Sequence, residues 1–227
     1  MIASETNSGL DESLSELSLL LNEADWAEAD RLTAALLQEV VAYSQSREAM
    51  RSREQEPRSH PYLTTEAIAT LPCELLQAID DRWHRASGGH FGFTAQLQIY
   101  ADLLETVDFD PALSNWSTPH PFFEEVGWLM LFTLRPVAFL RFYSGLEFDL
   151  DAPKGHLPAL WYWKIPRIAS LQMGGFLTGQ GGCYGDLARL DAMMLRLARC
   201  HQGGANRPDG SYPRRSDLPA PGAAAES

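Results

Sequence analysis

Lysine is nearly missing from this chain: Lys154 and Lys164 stand against sixteen arginines among 227 residues. Cysteine is scarce as well, because Cys73, Cys183 and Cys200 are odd in number and far apart, with no C-x-x-C and no Cys/His spacing suited to zinc. Free thiols in a reducing compartment are the simplest expectation. Long apolar runs are lacking too. The greasiest stretch, 126–146, is interrupted by Arg135, Pro136 and Arg141, short of the roughly 18 uncharged residues that a membrane span needs. The opening residues have neither the basic start and apolar run of a secretory leader nor the basic character of a transit peptide. A cytoplasmic protein is expected, compatible with a reversible peripheral contact to a membrane.

Positive charge is short overall. The formal net charge of −12 argues against a protein that coats nucleic acid, whose phosphates require surplus cations. A hydrophobic content of 45% with 21% charged residues suits a folded globule rather than a disordered chain. The charge is unevenly placed: residues 1–30 hold eight acids and no base, whereas residues 161–200 sum to +3. Arginine, the dominant cation, is the side chain suited to bidentate recognition of carboxylate or phosphate.

Catalytic signatures are absent. G-x-S-x-G, the phosphate-loop pattern, H-E-x-x-H and the dinucleotide fingerprint do not occur, and the run Gly179-Gln180-Gly181-Gly182 lacks the lysine and preceding strand of a phosphate loop. The six histidines, at 60, 84, 90, 120, 156 and 201, are scattered and read as hydrogen-bonded residues rather than ligands. Asp80-Asp81 and Glu124-Glu125 are adjacent, so within a helix their carboxylates point apart and form no acid/base pair. No catalytic residue and no metal ligand is assigned.

The apolar pattern predicts an all-α fold. Leu10, Leu14, Leu17 and Leu21 recur at helical spacing, as do Trp26, Ala29, Thr33, Leu36, Leu37, Val40 and Tyr43, with Asp25 available as an N-cap. Residues 44–61 are polar and end in two prolines, which predicts a loop. Leu71, Leu75, Ile79 and Trp83 form one stripe, with Pro72 in the first turn and Gly88-Gly89 at the stop. Thr94 is placed to cap the next helix, which buries Leu97, Tyr100, Ala101 and Leu104. Residues 108–121 are rich in turn formers. Residues 129–150 fit short strands or broken helices equally. Asp186 is placed to cap a last helix with Leu187, Leu190, Met194 and Leu197 on its apolar side and Arg189 and Arg196 on the other. Residues 203–227, rich in Pro, Gly and Ala, read as a disordered tail.

Between Pro158 and Gly179 lie Trp161, Tyr162, Trp163, Ile165, Ile168, Leu171, Met173, Phe176 and Leu177, in a stretch followed closely by further glycines. Either these side chains complete the core, or they form an apolar lid over a broad, flat ligand. Lys164, Arg167, Arg189, Arg196 and Arg199 follow closely, and apolar walls with arginines at the rim suit an apolar molecule bearing acidic groups. Porphyrins and acyl or isoprenoid acids both qualify.

The run LPCELLQAIDDRWHRASGGHFGFTAQLQIY, Leu71 to Tyr100, resembles the central signature of the GUN4 family of porphyrin-binding regulators of magnesium chelatase. Three further blocks are similar in the same order: Trp26, Ala29, Asp30 and Thr33 in DWAEADRLTAALL; Val126-Gly127-Trp128; and Phe148 with DAPKGHLPA, 151–159. Together they cover about residues 24–200. The chain departs from the family pattern at His90, where arginine is usual, and the roughly twenty residues before Asp25 are too few for the helical bundle that precedes the domain in many cyanobacterial members, so none is expected in this sequence.

The resemblance implies a compact helical domain with a cupped hydrophobic groove and two flexible loops, preceded by an acidic N-terminal extension (1–23), spanning 24–202 and followed by the tail (203–227). It implies a non-enzymatic carrier for protoporphyrin IX or Mg-protoporphyrin IX that stimulates magnesium chelatase in chlorophyll biosynthesis through that enzyme's large subunit, in the cytoplasm of a cyanobacterial-type cell or in a plastid stroma. On this reading Trp161, Trp163, Ile165, Met173, Phe176 and Leu177 form the lid, and Phe91, Phe93 and Phe132 line the opposite wall. Arg167, Arg189 and Arg196 meet the propionates. The alternative is a sensor or adaptor of the same fold that binds a protein partner or a linear tetrapyrrole without activating the chelatase.

Overall fold

The computed structural model describes residues 2–52, 63–106, 120–131, 138–163 and 187–201. These are mostly helical: α1 (Ile2–Asn22), α2 (Trp26–Ser52), α3 (Thr65–Thr70), α4 (Cys73–Ser87), α5 (Phe93–Thr106), α6 (Pro121–Glu125) and α7 (Leu187–His201). One antiparallel hairpin joins β1 (Leu129–Leu131) to β2 (Ala138–Leu140), with Leu129 opposite Leu140 and Leu131 opposite Ala138. The described residues of 129–150 therefore form short strands and a 3-10 turn at Tyr143–Gly145, not a broken helix.

Local chemistry explains the helix ends. The Asp25 carboxylate accepts from the Glu28 amide at 3.2 Å, as the expected cap of α2. That helix continues to Ser52, beyond the predicted loop start at Ser44. The Ser44 and Ser46 hydroxyls fold back onto the Val40 and Ala42 carbonyls at 2.9 Å, and no proline occurs before Pro57 to stop the helix. Pro72 is the N-cap of α4 rather than a first-turn residue, and Gly88 ends that helix in the left-handed region at φ 61°. Helix α5 begins one residue before Thr94, so Thr94 does not cap it. Instead Asp80 reaches across from α4 and accepts from the Thr94 amide at 2.9 Å and from its hydroxyl. Between them Gly92 takes φ 118°, where a Cβ would lie 2.7 Å from Asp80 Oδ1.

One core runs through these elements. Leu14, Leu17 and Leu21 of α1 are buried in it with Leu36 and Leu37 of α2 and Leu75, Ile79 and Trp83 of α4. Helix α7 contributes Leu190, Met193, Met194 and Leu197, in keeping with its predicted stripe, whereas the Asp186 cap falls outside the described residues. The ends of α4 and α7 are joined by a disulfide between Cys73 and Cys200, with Cα atoms 5.1 Å apart. This corrects the expectation of free thiols. The two cysteines are 127 positions apart, so only the packing of α7 on α3 and α4 brings them together.

Candidate functional site

Gly155 to Trp163 forms a buried turn with no regular secondary structure, so its backbone polar groups need partners from elsewhere. Residues of α2, α5 and α7, and of the connections before α5 and β1, supply several of them. Asp30 of α2 accepts from the Ala159 amide at 2.8 Å and from the Leu160 amide at 3.1 Å. Gln96 of α5 donates through Nε2 to the Gly155 and Pro158 carbonyls at 2.9 and 2.8 Å. The Gly92 amide donates to Leu157 O at 2.9 Å, and Trp128 Nε1 donates to His156 O at 2.8 Å. From α7, Arg189 sends Nη1 to Tyr162 O and Nη2 to Trp161 O, both at 2.8 Å. The peptide between Leu157 and Pro158 is cis.

Aromatic rings fill the space around this turn. Trp128 lies 4.9 Å from Trp163, 5.5 Å from Tyr162 and 6.4 Å from Trp161, centroid to centroid. Phe122 and Phe123 close the other side of Trp128, at 5.7 and 6.3 Å. The result is a corner packed with aromatic rings that fixes where the chain leaves at Trp163.

Burial sets the electrostatics. Complete burial pushes the Asp30 carboxyl up to about 6, against the downward pull of the Leu160 and Ala159 amides and the Tyr143 hydroxyl, which donates to it at 3.0 Å. Burial also pushes His156 down. Its Nδ1 lies 2.6 Å from Val126 O, and its Nε2 accepts from the Glu147 amide, which defines a neutral ring protonated at Nδ1. His120 is lowered to about 4 by burial, and its Nδ1 accepts from the Phe122 amide at the start of α6.

The structure divides the residues predicted to meet a ligand. Trp161 and Trp163 come together at the corner but are only 1% and 8% exposed, with their indole N–H groups on Pro158 O and Arg141 O. They are packed into the corner here and do not form a raised flap. Arg189 is corrected on two counts. It faces the core rather than solvent, and both its terminal nitrogens hold backbone carbonyls, so they are not available to a propionate. Arg196 is half-buried and donates from Nε to Leu71 O at 2.7 Å. Phe91 packs against Trp26 and Trp83 at 5.4 and 6.3 Å, and Phe93 is buried in the same core, which favours packing over ligand contact for both. Phe132, Ile165, Arg167, Met173, Phe176 and Leu177 lie outside the described residues.

Sequence reasoning did not assign the anchoring roles of Asp30, Gln96 and Trp128. A signal existed for Asp30: it is a carboxylate beside Ala29, set in the helical stripe of Trp26, Thr33 and Leu37. An acid at a buried helical position has to find donors, and here they are the amides of the turn. Among the described residues no group of three His, Cys, Asp or Glu side chains could hold a metal ion, and no helix is long and apolar enough to cross a membrane.

A mostly helical domain built around an anchored, aromatic-walled turn is the class that the fold and corner define. The GUN4-like family model matches residues 7–172, and the chain belongs to that family. The matched region takes in most of α1, whose leucines share the core with α2 and α4. Among curated proteins, the chain is 29% identical over 143 residues to "Uncharacterized protein ycf53" of Porphyra purpurea. It is 27% identical over 143 residues to the protein of the same description from Pyropia yezoensis. Each match covers 63% of this chain and 48% of the relative, so the chain spans about half the length of the curated relatives it matches. Among solved structures, ligand-free GUN4 of Arabidopsis thaliana aligns at 19% identity and TM-score 0.45, over 80% of this chain and 91% of that one. GUN4 of Chlamydomonas reinhardtii aligns at 18% identity and TM-score 0.44, over 79% and 84%.

Proposed function

We propose that the protein is a non-enzymatic tetrapyrrole carrier that binds protoporphyrin IX and Mg-protoporphyrin IX and regulates magnesium chelatase through the large subunit of that enzyme. Membership of the GUN4-like family carries the reading. The anchored turn supports it, because a fixed exit at Trp163 gives the apolar residues that follow a defined place from which to meet a flat ligand.

The roles within the site are revised accordingly. Trp161, Trp163 and Trp128 form the foundation behind the ligand, and Arg189 is the clamp that holds the foundation. Ile165, Met173, Phe176 and Leu177 supply apolar contact, and Arg167 is the proposed propionate partner, joined by the terminal nitrogens of Arg196. The metal, where the ligand carries one, belongs to the cargo. The red-algal relatives favour a plastid or a cyanobacterial-type cytoplasm as the setting.

Absorbance titration with protoporphyrin IX, Mg-protoporphyrin IX and biliverdin tests the binding half. Saturable Soret shifts with the two macrocycles are expected. A shift with biliverdin alone would replace the reading with a linear-tetrapyrrole carrier, and no shift with any pigment would replace it with a protein adaptor. The regulatory half is tested by chelatase turnover with and without the protein. Stimulation is expected, and unchanged turnover under pigment-saturating conditions contradicts it.

A further inference from the structure

A second region, on the α1–α4 side of the molecule, gathers cations. Ser18, Leu21 and Asn22 of α1 and Arg82, Arg85 and Ala86 of α4 line a cleft of about 190 Å³. We propose that this cleft is an oxyanion site that takes a phosphate group, free or esterified to a small molecule, between Arg82 and Arg85 with Asn22 as a neutral polar contact, Ser18 serving to hold Arg82 while its own hydroxyl donates to Leu14 O.

Helix geometry makes the convergence. Ser18 and Asn22 are four residues apart and Arg82 and Arg85 three apart, so each pair shares one face of its helix. Arg82 joins the two helices, with Nε donating to Leu14 O at 2.9 Å and to Ser18 Oγ at 3.0 Å, and Nη1 donating to Ala78 O at 2.6 Å. Arg85 donates from Nε to the Asp81 carbonyl at 3.1 Å. All these acceptors are carbonyls or a hydroxyl. They fix the guanidinium planes without neutralising them, whereas Arg31 and Arg141 are paired with Glu28 and Glu147.

Two like charges one turn apart, Arg82 half-buried and Arg85 exposed, repel each other, and an anion that bridges them converts that repulsion into attraction. A phosphate dianion matches both the charge of two guanidinium groups and their forked donors. A carboxylate offers one charge and two oxygens. The volume separates this cleft from any pigment site, since about 190 Å³ holds a small anion but falls below the roughly 300 Å³ at which pockets for larger ligands begin.

The test is an amide-shift titration of the full chain by NMR at constant ionic strength, using inorganic phosphate, glycerol 3-phosphate and acetate as probes. Saturable shifts centred on Ser18, Asn22, Arg82 and Arg85 are expected, with one or both phosphate probes binding about tenfold tighter than acetate. Whichever phosphate probe binds more tightly identifies the free ion or the ester. Arg85→Ala should weaken phosphate binding by about tenfold while melting like the parent, because its Nε bond is to its own helix. Shifts that do not saturate, acetate binding as tight as phosphate, or an unchanged titration in Arg85→Ala would overturn the proposal.

Discussion

Among the described residues, Asp30 is the acceptor for both the Ala159 and the Leu160 amides, which makes it a central anchor of the turn. Its raised pKa has a defined sign. The folded state holds the Asp30 proton more tightly than the unfolded chain, so this group's contribution is fully present below about pH 4 and is lost as pH rises through about 6. The loss is on the order of 3 kcal/mol. His120 acts oppositely, since its lowered pKa makes folding more favourable as pH rises from about 4 to its ordinary value of 6.5. Asp30→Asn removes the falling contribution and leaves the rising one. Melting temperatures measured from pH 4 to 6.5 should therefore climb more steeply in Asp30→Asn than in the parent, and parallel curves would refute the assignment. Arg189→Met leaves two buried carbonyls without donors and should cost about 3 kcal/mol in urea denaturation. A near-neutral result would show that the Trp161 and Tyr162 carbonyls do not depend on Arg189. Arg189 was misread because periodicity marks which residues are polar, not whether a polar one has buried carbonyls waiting for it.

At the scale of elements, the stripes of Leu71 to Trp83 and Leu187 to Leu197 were legible because each presents one apolar face at helical period. The continuation of α2 past Ser44 was not, since its polar composition reads as a loop, and neither was the start of α5 at Phe93, since it depends on a carboxylate borrowed from a neighbouring helix. The cross-helix contact makes Gly92 a sensitive position. Gly92→Ala places a methyl group against Asp80 in a backbone region reserved for glycine, and should lower stability by about 2 kcal/mol or more by chemical denaturation. An unchanged midpoint would show that Asp80 moves aside freely. The disulfide between α4 and α7 was invisible for a different reason: sequence spacing carries no information about helices that meet only in the fold. It closes a long loop, so reduction by dithiothreitol should cost the parent about 4 kcal/mol. The double variant Cys73→Ser, Cys200→Ser should show no response to the reductant, and equal stability of the parent with and without reductant would exclude the cross-link in solution.

For the molecule as a whole, four ordered sequence blocks carried the family, because they hold junctions where elements meet: Trp26 with Trp83 and Phe91, Asp30 with the 159–160 turn, Gly92 with Asp80, Trp128 with His156. The same property limited what could be read about the site. Tryptophan and arginine both hold this turn in place and suit contact with a ligand, and composition does not tell the two roles apart. In the proposed function the turn is a fixed foundation and the chain after Trp163 is the part that meets the pigment. Backbone hydrogen exchange of the full chain with and without Mg-protoporphyrin IX separates those roles. The prediction is that the Ala159 and Leu160 amides are protected in both states, while pigment adds protection between residues 164 and 177. Free exchange at Ala159 and Leu160 without pigment, or no pigment-dependent protection anywhere from 156 to 177, would contradict it.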